Sequence, residues 1–147
     1  MIKQTGYPKA AARLRGGRDY PEIRGTVRFF QRSDGVLVEA EVSGLPRTET
    51  GFFAFHIHEG ESCLGDGFPG TGGHFHPGKA EHPNHAGDLP PLLGDYGKAC
   101  MTVLTGRFRV EEILGKTVIL HSAPDDFRTQ PSGNAGKKIA CGVIRRI

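Results

Sequence analysis

The chain has 147 residues, 37% hydrophobic and 24% charged, with a formal net charge of +3; it is expected to form one globular domain over residues 1–147, large enough to bury its own core. Its basic residues are not interleaved with aromatics, which argues against nucleic acid as a partner, and no apolar run reaches the roughly 18 residues of a membrane span. The 22 glycines and 10 prolines supply turns for many short strands rather than for a helical bundle.

The opening stretch, "MIKQTGYPKAAARLRGG", lacks the uninterrupted apolar core of a signal peptide. Residues 1–9 are expected to be a flexible N-terminal extension. A cytoplasmic location is expected, with a secreted or periplasmic one as the alternative for a processed chain. Ala10–Arg15 is the first strand candidate. Residues 24–46, "RGTVRFFQRSDGVLVEAEVSGLP", predict a β-hairpin turning at Ser33-Asp34-Gly35. There Val36, Val38, Ala40 and Val42 alternate with Leu37, Glu39 and Glu41. Phe52–His58, Ala99–Leu104, Thr117–His121 and Ile139–Arg145 complete about seven strands, while Arg107–Leu114 reads ambiguously. Short strands without intervening helices point to an antiparallel sandwich or barrel.

Residues 59–97 form a single connection of nearly forty residues. A disordered segment would be polar and patternless, whereas this one carries four of the seven histidines, so it is expected to be held by metal. Just before it, "FFAFHIH" ends in His56 and His58. At spacing i, i+2 both imidazoles face one side of a strand, and the strand is expected to fill the core up to the point where the two histidines leave it. Such a pair at a strand end can simply be satisfied by backbone or water. It also suits two adjacent corners of a square-planar Cu(II) site.

In "HPNHAGD", Pro83 makes a helix improbable. An irregular loop can gather His82, His85 and Asp88 around a tetrahedral Zn(II), the favoured reading, with a solvated polar loop as the alternative. His74, in "GGHFHP", lies between the two groups, and His121 arrives from the distant strand "KTVILH". His56, His58 and His121 leave a copper set one ligand short, and the zinc trio is likewise one short. Deprotonated to imidazolate, His74 could complete both. Cys63, Cys100 and Cys141 form no C-x-x-C pair, and their number allows one disulfide with a spare thiol, or none.

From about Ala10 to Ile144 the sequence closely resembles the copper–zinc superoxide dismutases, through "FHIHEGESC", "GGHFHP", "HAGDLP", "GKTVILHSAPDDF" and "GNAGKKIACGVI" in family order. The resemblance implies an all-β fold, an eight-stranded antiparallel Greek-key β-barrel with a long metal-binding loop and an active-site loop. It implies copper on His56, His58, His74 and His121 and zinc on His74, His82, His85 and Asp88, with His74 bridging and acting as proton donor. Asp125 would link ligands of the two metals, Cys63 and Cys141 would form the disulfide, and Cys100 would stay unpaired. The expected substrate is superoxide. A homodimer is one assembly the resemblance allows, without membrane or nucleic acid.

Three departures stand out. Lys138 occupies the place of the family's active-site arginine, keeping charge but losing the planar fork; anion steering is expected to survive and positioning to weaken. The stretch between His74 and His85 is short, which makes His76 the alternative to His82 at the zinc set, though His76 reads better as structural. The segment after "DDF" is also short, so sparser cover over the copper is expected. A non-catalytic copper/zinc-binding module or copper carrier on the same fold is the alternative function, and a β-sandwich adhesion domain with incidental histidines is a third.

Overall fold

The computed structural model describes residues 6–147; the expected N-terminal extension lies partly outside them. Lys9 is held at both backbone groups, its N–H on the Phe29 carbonyl at 2.9 Å and its carbonyl by Ile147 N at 3.0 Å. Eight strands follow: β1 (Ala10–Gly16), β2 (Arg24–Arg32), β3 (Gly35–Ser43), β4 (Phe52–His58), β5 (Asp88–Leu93), β6 (Ala99–Thr105), β7 (Thr117–His121) and β8 (Lys138–Arg146), with one helical turn, α1 (Val110–Ile113), between β6 and β7. Every strand pairing is antiparallel. The spatial order β5-β4-β7-β8-β1-β2-β3-β6 wraps into a nearly closed barrel, with the β3–β4 and β6–β7 connections leaping between non-neighbouring strands in Greek-key fashion.

Hydrophobic alternation builds the interior. Val36, Val38, Ala40 and Val42 of β3 join Val27 and Phe29 of β2, Phe53, Phe55 and Ile57 of β4 and Val118 and Leu120 of β7 in one buried cluster. The β2–β3 hairpin turns through Ser33 and Asp34, closed by the Arg32–Gly35 pair. Gly35 sits at φ 145° with the Thr105 backbone against its α-carbon, a position with no room for a side chain.

The expected forty-residue connection is shorter, because β5 occupies residues 88–93 of it. Nor does β4 leave the core where its histidines begin. Ile57, between them, is in the core, and His56 and His58 are buried on the opposite, outward face of the strand. What covers that face is the long β4–β5 connection. It folds back along β4, pairing His74 with His58 and engaging both backbone groups of Ile57, through Phe75 N at 2.8 Å and the Gly87 carbonyl at 2.9 Å.

A Cys63–Cys141 disulfide ties this connection to β8 across a sequence separation of 78, while Cys100 is free and exposed. Phe68 and Ile119 bury the bridge in a small second cluster outside the barrel. Closing so long a loop restricts the unfolded chain, so Cys63→Ser with Cys141→Ser is expected to cost about 2–4 kcal/mol. Denaturant unfolding of oxidised wild type against the double variant measures this.

Candidate metal centre

Strand register places the first side chains. On the outward face, Asp88 of β5 lies opposite His56 of β4, His56 opposite Ile119 of β7, and Ile119 opposite Cys141 of β8. A register shift between Leu120 and His121 then brings His121 opposite Lys138, the re-aiming that a bulge gives a strand end. Three strands thus hold His56, His58, His121 and Asp88 rigidly, and the connection supplies His74, His82 and His85.

The side chains converge in two sets. Ligand-type atoms of His56, His58, His74 and His121 all lie within 4.8 Å of one another; His121 Nε2 is 3.2 Å from His56 Nδ1 and 3.3 Å from His58 Nε2. Around Asp88, His74 Nδ1 is 2.7 Å from one carboxylate oxygen, and His82 Nδ1 and His85 Nδ1 are each 3.1 Å from the other. Mutual proximity also groups His56 with His74, His82 and Asp88. Yet His56 has Nε2 engaged by Asp125 at 2.8 Å and Nδ1 facing His121 in the four-histidine set at 3.2 Å, so both its nitrogens are committed and His85 is the better fourth member of the Asp88 set. His74 stands between the sets, with ring centroids 4.0 Å from His56, 4.9 Å from His58, 5.2 Å from His82 and 5.3 Å from His85.

These donors fit metal ions. His74 Nε2, His82 Nδ1 and His85 Nδ1 are buried with no hydrogen-bond partner; the last two approach Asp88 closely but out of line for a hydrogen bond. Buried polar atoms are normally paired; here His82 Nδ1 and His85 Nδ1 stand together at Asp88 Oδ2, and His74 Nε2 is the nitrogen of its ring that does not contact Asp88, so unpaired donors that suit an ion occur in both sets. Four imidazoles match copper, and three imidazoles with one carboxylate match zinc.

The electrostatics favour the ligating form. Burial pushes the His58 imidazole down to about 2, with His74, His121 and Lys138 adding to the effect against the Gly72 carbonyl. Burial likewise carries His121 to about 3, helped by His56, His74 and Lys138, and it lowers His56 against the pull of Asp125. These rings are therefore neutral near pH 7, as ligands must be. Burial by itself raises the Asp125 carboxyl, but hydrogen bonds from His56, His82 and the Phe127 N–H take it down to about 2. Asp125 oxygens lie 2.8 Å from His56 Nε2 and 2.7 Å from His82 Nε2, so one carboxylate joins a ring from each set.

Lys138 donates to Thr71 Oγ1 at 2.7 Å and to the Gly72 carbonyl at 3.1 Å. The same carbonyl lies 2.8 Å from His58 Nδ1, so the ammonium stands beside the four-histidine set, its pKa lowered by burial. His76 is not in either set. Its Nδ1 accepts the Ala86 N–H at 2.9 Å, which makes it a support for the loop, while His82 takes the place beside Asp88.

The copper/zinc superoxide dismutase (SODC) profile matches residues 23–144. The chain belongs to the copper/zinc superoxide dismutase family. All residues of both sets, Asp125, Lys138 and both bridged cysteines fall inside that span. The chain is 36% identical over 139 residues to copper–zinc superoxide dismutase 2 of Aquifex aeolicus, covering 84% of this chain and 80% of that protein. It is 33% identical over 147 residues to the copper–zinc superoxide dismutase of Deinococcus radiodurans, covering 86% and 79%. Among solved structures, a double mutant of a SOD-like protein from Bacillus subtilis superposes with a TM-score of 0.78 at 32% identity, covering 90% of this chain and 95% of that one.

Sequence reasoning passed over Gly133. A Cβ there would overlap Asp125 Oδ1 and lie 2.6 Å from His82 Nε2, and φ is +74°. Only glycine leaves the Asp125–His82 contact intact. Gly133→Ala is expected to lower stability by about 1–3 kcal/mol, the range for overpacking a buried site, and to weaken zinc retention. Denaturation midpoints and metal content after dialysis against a chelator check both.

Proposed function

We propose that the chain disproportionates superoxide, converting two superoxide anions and two protons into O2 and H2O2, with copper and zinc held on either side of His74. The observation that carries this reading is the position of that ring: Nδ1 lies 2.7 Å from Asp88 and Nε2 is buried without a partner. In the proposed assignment, copper would be held by His56, His58, His74 and His121, and zinc by His74, His82, His85 and Asp88. Bound copper would supply a one-electron Cu(II)/Cu(I) couple, and zinc a fixed charge without redox change.

The remaining work belongs to the chain. Lys138 attracts the anionic substrate toward the four-histidine set, since focused positive charge raises association rates in a salt-dependent way. An ammonium offers charge without the paired donors of a guanidinium, so it steers more than it orients. When it is not held by copper, His74 Nε2 can carry a proton and deliver it to the reduced oxygen species as peroxide leaves, a general-acid role. With Nδ1 on the zinc side, a position shared with the Asp88 carboxylate, the ring would stay fixed while Nε2 exchanges its proton. Asp125 keeps His56 and His82 in one orientation throughout.

Lys138 in place of an arginine also favours a second reading, a copper/zinc-binding module or copper carrier without turnover. Reconstitution with both metals separates the two. One copper and one zinc per chain with salt-sensitive loss of superoxide is the expected result, whereas tight metal binding with no turnover above a His121→Ala control would establish the carrier. Lys138→Glu is expected to slow turnover about tenfold or more while leaving metal content unchanged; an unaltered rate would remove Lys138 from the steering role.

A further inference from the structure

The segment from His82 to Asp88 carries three of the proposed zinc ligands, and up to Gly87 it has no strand or helix with which to satisfy its own backbone. Its donors are met piecemeal: His85 N–H by Asp88 Oδ2 at 2.9 Å, Ala86 N–H by His76 at 2.9 Å, and Gly87 N–H by the Phe75 carbonyl at 2.9 Å. Within the segment only the His85 carbonyl is met, by the Asp88 N–H at 3.1 Å; further partners come from outside. Arg107 Nη1 lies 2.9 Å from the Pro83 carbonyl, 3.2 Å from that of His85 and 3.4 Å from that of Asp88. At the other end, the Gln130 side-chain amide pairs with His82 in both directions, accepting from its N–H at 3.0 Å and donating to its carbonyl at 2.6 Å.

We infer that Arg107 is a positioning residue for zinc, a cationic clamp that holds the carbonyls of Pro83, His85 and Asp88 so that the side chains of His82, His85 and Asp88 meet at one point. This rests on the zinc assignment proposed above. Arg107 is well placed for the task because its own neighbours are anchored in the barrel. Phe108 is buried in the core, Arg107 N–H donates to Thr105 Oγ1 at 3.2 Å, and Val110 N–H donates to Gln31 Oε1 at 2.9 Å. The residue follows β6, one end of the strand order, and reaches Asp88, the first residue of β5 at the other end. It thus fastens the ligand segment across the seam where the barrel is not hydrogen-bonded. Charge-assisted hydrogen bonds to carbonyls are stronger than neutral ones, and outer partners of metal ligands commonly set affinity by 10–100-fold.

The test is zinc affinity by competition with a chromophoric chelator, and copper affinity in parallel, for the full chain as wild type, Arg107→Met, Arg107→Lys and His85→Ala. Methionine keeps the stem and removes the donors; lysine restores a cation without the fork. Arg107→Met is expected to lose about 10-fold or more in zinc affinity, with copper affinity changed less than about threefold and Arg107→Lys recovering part of the loss. Unchanged zinc affinity, or equal losses of zinc and copper, would overturn the clamp. Wild-type zinc binding that His85→Ala does not weaken would instead overturn the zinc assignment itself.

Discussion

One carboxylate holds the two halves of the centre together. Asp125 offers one oxygen to His56 on the barrel and the other to His82 in the connection, at 2.8 and 2.7 Å. A buried carboxylate is costly unless it is fully hydrogen-bonded, and here two imidazole N–H groups and the Phe127 N–H at 2.7 Å meet that demand. Each histidine has two nitrogens. Committing Nε2 of both rings to Asp125 as donors leaves the Nδ1 lone pairs free, so the same interaction selects the tautomer, aims the ring and presents the ligand atom. Gly133 matters for the same reason, as it leaves the space in which these three side chains meet.

The barrel explains why such a centre can be precise while half of it lies in irregular chain. A strand with period two lets β4 pack Phe53, Phe55 and Ile57 inward and present His56 and His58 outward from the same seven residues. Neighbouring strands then add Asp88 and His121 at fixed register. The irregular half has no such ladder, and its order comes from many single tethers: the disulfide at Cys63, the return pairing of His74 on His58, His76 under Ala86, and the side chains of Gln130 and Arg107. Rigid barrel and tethered loop face each other across the His74 ring.

Much of this was readable in the amino-acid sequence, for physical reasons that also mark where reading stopped. Strands β4 and β7 are legible to the residue because apolar runs end sharply in histidine. That these side chains belong together was legible because imidazoles are rare and their spacing limits geometry. Strand β5 was hidden by Pro90 and Pro91, which argue against a strand unless it lies at an edge where missing N–H donors do no harm; β5 is the first strand in the order. The outward face of His56 and His58 was missed because an apolar β4 buried on both sides looks like one that simply fills the core. Helix α1 is a single turn, too short to show a period. Spacing alone could not separate His76 from His82, and Arg107 and Gln130 act on backbone groups, which leave no motif.

The central claim is that one imidazole, His74, joins the two sets. It is tested most directly by loading Cu(II) into both positions and comparing the electron paramagnetic resonance intensity per copper with that of the form carrying copper in the four-histidine set alone. Two Cu(II) ions sharing an imidazolate couple magnetically, and the account predicts that the low-temperature signal per copper falls well below that of the single-copper form. Two additive, independent Cu(II) signals would contradict it.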